Sequence, residues 1–242
     1  GAGSLVVDKG NSGGNKLTLS GANTYTGGTT ITSGRLDVSG SLSDSTAVVI
    51  GGSGTYGLSK DDTVGSISGS GSIDLGSSTL SVGSNNQDST FSGVISGAGS
   101  LVVDKGNSGG NKLTLSGTNT YTGATTITSG RLDVSGSLSD STAVVVGGSG
   151  TYGLSKDDTV GSISGSGSID LGSSTLSVGS NNQDSTFSGV ISGAGSLVVD
   201  KGNSGGNKLT LSGVNTYTGA TQITSGRLDV SGSLSDSTAV VV

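Results

Sequence analysis

The chain has 242 residues, 48 of them glycine, with 12% charged residues, a formal net charge of −6 at pH 7, and no proline, cysteine, histidine, methionine or tryptophan. Glycine at about three times ordinary usage without proline excludes collagen, whose triple helix depends on imino acids, and the low charge with regularly placed Leu, Val and Ile excludes a chain held open by charge. Without imidazole or thiolate, His or Cys metal sites, Ser-His-Asp triads and cysteine nucleophiles are excluded too.

Short apolar alternations follow one another at 5–7, 17–19, 29–31, 36–38, 47–50, 73–75 and 80–82, each bounded by Gly, Ser, Asn or Asp. That is the pattern of strand followed by turn, and no stretch carries the 3.6-residue period of a helix. All 17 acidic residues are Asp, a turn former rather than a helix former. The negative balance sets nucleic acid aside as a partner. No apolar run approaches the roughly 20 residues of a membrane span, and the lack of a leader pattern points to an internal fragment. With 29% hydrophobic residues, five Tyr and two Phe, the chain is expected to fill a thin cylinder rather than a wide globular core.

The string GAGSLVVDKGNSGGNKLTLSG starts at Gly1, Gly97 and Gly193, a period of 96 residues. The first two copies differ only at Ala22/Thr118, Gly28/Ala124 and Ile50/Val146, and the third adds Val214 and Gln222. This divides the chain into repeats at 1–96, 97–192 and a partial 193–242, with no linker between them, as one continuous solenoid. Within a repeat, Leu17, Leu36, Tyr56, Leu75, Val94 and Leu113 follow one another at nearly even steps. The even step predicts one inward position struck once per coil, about five coils per repeat, and a rod of roughly 60 Å at the inter-strand spacing. Two residues on, Leu19, Val38 and Leu58 fit the same ladder, but Ser77 and Ser96 do not. The pairs Gly13-Gly14, Gly27-Gly28 and Gly51-Gly52 read as corners, although Ala124 and Ala220 at the place of Gly28 show that this glycine is not needed for a positive φ.

From Phe91 to Gly130 the order FSGVISGAGSLVV, KLTLSG, NTYTG, TT, followed by RLDV, resembles the autotransporter-associated β-strand repeat of type V secretion passengers; the same series recurs at 1–38 and 187–230. The resemblance implies an all-β, right-handed parallel β-helix on a bacterial cell surface or secreted from it, and an outer-membrane barrel elsewhere in the full protein. The segment from 39 to 90 carries the same chemistry without that signature.

Asp61-Asp62 and Asp157-Asp158 are the candidate acid–base or cation pairs, and the sequence LSKDDT reads as a solvated polar corner beside Lys60 and Lys156. Calcium needs oxygen ligands at tight turns; the nearest pattern, SGSGSIDLG, puts Asp74 on a strand facing outward. Thr24, Thr26, Thr29 and Thr30 are too sparse for a flat threonine array, and Gly69-Ser70-Gly71 lacks the helix and Lys of a phosphate loop. No catalytic, cofactor or metal residue is therefore assigned and no enzyme is expected. Two function classes stand: a rigid stalk with an adhesive or self-associating surface, meeting its own kind or cell-surface glycans and proteins in a biofilm; or a ligand- or polysaccharide-binding, or enzymatic, passenger that works through acids and bases on one face. A catalytic site is singular, whereas every feature here is copied from repeat to repeat, which favours the first class.

Overall fold

The computed structural model describes residues 1–10, 15–106, 111–202 and 207–242; the Gly13-Gly14 corner lies outside them. Among the described residues there is no helix. Every strand pairs in parallel, and the chain winds as a β-solenoid of about 11 turns, or about 50 Å at the spacing of a hydrogen-bonded ladder.

Three faces enclose the core. On the first face of the first repeat, Leu5–Asp8, 29–33, 47–50, Ser66–Gly69 and Ser89–Phe91 stack in that order, through the pairs Val6↔Thr30, Thr30↔Val49, Val49↔Ser68 and Gly69↔Phe91. The second face stacks Lys16–Leu19, 35–38, 55–58, Ser72–Asp74 and Val94–Ser96, with Leu17↔Leu36, Leu36↔Tyr56, Tyr56↔Ile73 and Ile73↔Ile95 in register. On the third face, 22–26 and 41–46 meet through the bridge Ala22↔Ser41. Above them, the Leu42 N–H donates to Asp62 of the strand Asp62–Val64, which pairs with Thr79–Val82.

Local chemistry explains the corners. The strand Thr29–Val38 buries Thr29, Ile31 and Ser33, then Leu36 and Val38, so its inward set changes from odd to even positions. Gly34, at φ 75°, makes that change; an L side chain is strained there, and a Cβ would also press on the Lys9 side chain. Gly27-Gly28 and Gly51-Gly52 are not left-handed corners, and the positive φ values up to the start of the second copy fall instead at Gly10, Gly34, Gly69, Gly76, Gly83, Asn86 and Gly97. Gly27 is required by closeness: a Cβ there would lie 2.5 Å from the Gly3 carbonyl oxygen. At Gly28 the nearest atom is 3.6 Å away, which is the room that Ala124 and Ala220 use.

The inward ladder holds at Leu17, Leu36 and Tyr56, with Leu19, Val38 and Leu58 beside it. It departs from the expected spacing after that. Above Tyr56 the next stacked residue is Ile73, which comes sooner than the even step allows, and the one after it is Ile95, which comes later. Leu75 is buried, but at the corner beyond the strand, where its N–H donates to Ser96 at 2.9 Å. Val94 and Val190 face solvent at 40% and 39% exposure while Ile95 and Ile191 are fully buried. A one-residue slip exchanges the inside and outside of a strand, and coils of unequal length produce that slip in an evenly spaced reading. Leu113 stacks on Ser89, on a different face from Val94.

Leu17, Leu19 and Tyr25 of the first coils are half-buried, whereas the equivalent Leu113, Leu115 and Tyr121 are fully buried, because a coil gains its cover from the coils on both sides. Gly123→Ala places a methyl group against the Gly99 backbone and is expected to cost about 1–3 kcal/mol. Gly28→Ala, whose added methyl group would make only an ordinary contact with the Ala47 carbonyl oxygen, is expected to stay within about 0.5 kcal/mol. Urea unfolding of the two variants side by side measures the contrast.

Candidate functional site

The strand Asp62–Val64 alternates inward, outward, inward, and so separates the two adjacent aspartates. Asp61 stays exposed and accepts the Thr79 N–H at 2.8 Å. Asp62 turns inside with 4% exposure, in contrast to the solvated corner expected for the pair. It accepts the Tyr56 hydroxyl at 2.6 Å and the N–H groups of Leu42 and Thr63, both at 3.1 Å. The second repeat repeats the arrangement, with Tyr152 donating to Asp158 at 2.8 Å and the Thr175 N–H reaching Asp157 at 2.7 Å. One aspartate caps the next coil and the other ties 42, 56 and 63 together, so the two carboxyls are engaged by separate sets of partners. Strand alternation was the signal for this, since Val64 is a buried neighbour two residues on.

Burial pushes the Asp158 carboxyl up to about 6 against the donors that lower it, and Asp62 moves in the same direction. The folded value lies above that of the unfolded chain, so the native state holds the proton more tightly. This contribution is full at low pH and is lost as pH rises from about 4 through 6. A chain carrying Asp62→Asn and Asp158→Asn is expected to lose that slope. The difference in thermal midpoint between variant and parent should change sign or shrink between pH 4 and pH 7, read by circular dichroism.

On the second face the Arg35 side chain reaches along the rod. Its Nε bonds Asp37 and its Nη2 meets Asp74 at 2.9 Å, while Lys16 pairs with Asp37 at 3.3 Å. In register between Asp37 and Asp74 stands Gly57, where any Cβ would strike the guanidinium. The bare backbone lets one arginine span coils that are not adjacent, and Arg131, Asp133, Asp170 and Gly153 repeat the device. Asp74 points outward as expected. Burial raises its pKa, but the Gly76 N–H and Arg35 outweigh this and lower it. Its oxygens are thus engaged by protein donors. Thr29 and Thr125 are buried and bond the Tyr25 and Tyr121 hydroxyls at 2.7 and 2.5 Å, rather than joining a flat outer array.

A third cluster, which sequence reasoning did not single out, closes the junction between repeats. Lys105 is buried, and its ammonium donates to the Gln87 carbonyl and to Ser89 Oγ at 3.2 Å. Asp88 accepts the Lys112 N–H at 2.8 Å, and Asn119 accepts the Ile95 N–H at 3.1 Å. At the next junction Lys201 bonds Gln183 and Ser185 at 2.7 and 3.1 Å, and Asp184 accepts the Lys208 N–H. Burial draws the Lys105 pKa down to about 8, with Asp88 opposing. The alternation Leu101, Val103, Lys105 was the available signal; a lysine at an inward position does not announce itself among exposed ones. Lys105→Ala is expected to lower stability by about 1–3 kcal/mol by leaving the Gln87 carbonyl without its donor, with hydrogen exchange rising first in 85–89 and 100–105.

Among the described residues no group of three His, Cys, Asp or Glu side chains is placed to hold a metal ion, and no helix is long and apolar enough to cross a membrane. The passenger-associated-transport-repeat family matches residues 12–38, 108–134 and 204–230. In the structure each match contains one closed coil, in which 35–38 returns to stack on Lys16–Leu19, and likewise 131–134 on Lys112–Leu115. Over 129 residues, 48% of this chain, it is 38% identical to the adhesin BmaC autotransporter of Brucella suis biovar 1 (strain 1330). The chain covers 4% of that protein's length. No solved structure matches it.

Proposed function

We propose, from a chain that carries the passenger-associated transport repeat three times, that this segment is a rigid rod in an autotransporter passenger, exposed on or released from a bacterial surface. Its role is structural, and its outer face serves adhesion or self-association. The observation that carries this reading is where the polar side chains are engaged. Asp62, Arg35 and Lys105 each bond groups on other coils, and each has a counterpart in the next repeat with the same partners. Chemistry that elsewhere builds a single reacting centre here holds successive coils together, time after time. The adhesin named among the relatives supports the adhesive part, and cell-surface glycans or proteins or a second rod are the proposed partners.

Many weak equivalent sites on one molecule raise avidity without a strong pocket. Cells displaying one, two and four repeats are therefore expected to aggregate more strongly as repeats are added, with rod length rising in proportion. Aggregation that stays flat while length grows removes the adhesive role and leaves a spacer. Hydrolase or lyase activity in the purified segment overturns the structural reading altogether.

A further inference from the structure

We infer that successive repeats present the same surface in different directions, each turned a third of the way round the rod from the one before, so that the same surface returns to a given side only at every third repeat.

The register shows it directly. In the first repeat the first face ends with Ser89–Phe91, and the strand stacked on it is Lys112–Leu115, through Thr90↔Thr114 and Phe91↔Leu115. Yet Lys112–Leu115 is the second-repeat copy of Lys16–Leu19, which lies on the second face. Likewise Ser100–Asp104, the copy of the first-face strand Leu5–Asp8, stacks on Thr79–Val82 of the third face. The second face continues into 118–122, the copy of a third-face passage, through the Thr120 N–H donating to Ile95 at 2.8 Å. The next junction makes the same exchange: Ser185–Phe187 carries Lys208–Leu211 through Thr186↔Thr210, and Thr175–Val178 carries Ser196–Asp200.

The cause is a count. A repeat crosses the first and second faces five times each and the third face four times before its copy begins, which makes fourteen passages. Three faces do not divide fourteen evenly, so each copy begins on a different face from the last. The Arg35–Asp37–Asp74 cluster accordingly lies on the second face, Arg131–Asp133–Asp170 on the first and Arg227–Asp229 on the third.

Fourteen passages over three faces make four and two-thirds turns, so one repeat adds about 22 Å of length, and the same face recurs after about 67 Å. This goes beyond the role of a stalk. A repeat gained or lost changes both the reach of whatever the rod carries and the direction it faces, and three repeats are the smallest change that alters length alone. A flat partner lying along one side meets a given patch once in three copies, while neighbours on all sides are met by consecutive ones.

The chain contains no cysteine, so introduced thiols are unique. Spin labels at Thr90→Cys and Thr114→Cys are expected to sit on adjacent coils and to broaden each other's spectra strongly. Labels at Thr18→Cys and Thr114→Cys, equivalent positions of neighbouring repeats, are expected about 30 Å or more apart, the axial rise combined with the width of one face. The pair Thr114→Cys and Ser192→Cys, four coils apart on one face, gives the axial ruler at about 19 Å. Unbroadened spectra for Thr90/Thr114 in a chain with parental circular dichroism, or a Thr18/Thr114 distance equal to the axial rise alone, overturn the inference. Thr186→Cys with Thr210→Cys reads the second junction in the same way should the first pair fail to fold.

Discussion

A parallel hydrogen-bonded ladder sets one coil on the next at about 4.8 Å, and each coil must bring an inward side chain back over the one before it. Leu17 under Leu36 under Tyr56, and Leu19 under Val38 under Leu58, are that requirement in residues. The ladder tolerates coils of different length provided that the extra residues sit in corners. The coil from Tyr56 round to Ile73 is short, whereas the one from Val6 round to Thr30 is long, and both close in register. A narrow core follows: the buried side chains are aliphatic, with few aromatic rings among them, and the width is set by three short faces rather than by packing of large residues.

The same constraint decides what polar side chains do. A residue whose neighbours two positions away face inward faces inward too, whatever its charge, and its polar groups must then find partners. Asp62 is satisfied by Tyr56 and two backbone donors, and Lys105 by the Gln87 carbonyl and Ser89. Among the described residues no buried side-chain nitrogen or oxygen lacks a partner. Buried ionisable groups cost stability unless so held, and the pKa values of Asp62, Asp158 and Lys105 are shifted by that burial. The exposed ion pairs contribute less individually, about 0–1 kcal/mol each. Their value here is positional, since Arg35 reaches past Gly57 to a coil two levels away.

Repetition turns these local arrangements into a property of the whole rod. Each junction is closed by the same three contacts, from Lys105, Asp88 and Asn119 or from Lys201, Asp184 and Asn215. A copied junction lets repeats be added without a new interface being made. It also carries the change of face along the rod, because the partner of each new strand belongs to a different column from its copy in the repeat before.

The strands near 5–7, 17–19, 29–31, 36–38, 47–50, 73–75 and 80–82, the long repeat period, the parallel solenoid and the outward direction of Asp74 were legible from the sequence alone, whereas the strands at 62–64, 66–69 and 89–91 were not. Alternation of apolar and polar residues is a local property, and two near-identical copies make the period unmistakable. The room for alanine at Gly28 was legible for the same reason, since the copies had already made the substitution. Val94 and Ile95, the inward turn of Asp62, and the buried Lys105 were decided by the tertiary structure. Each depends on the number of residues a corner consumes, and corners of Gly, Ser and Asn carry no apolar mark by which to count them. The phase between repeats is the sum of all those corner lengths over fourteen passages, and only the strand pairing, which selects the residue lying above each one, sets that sum.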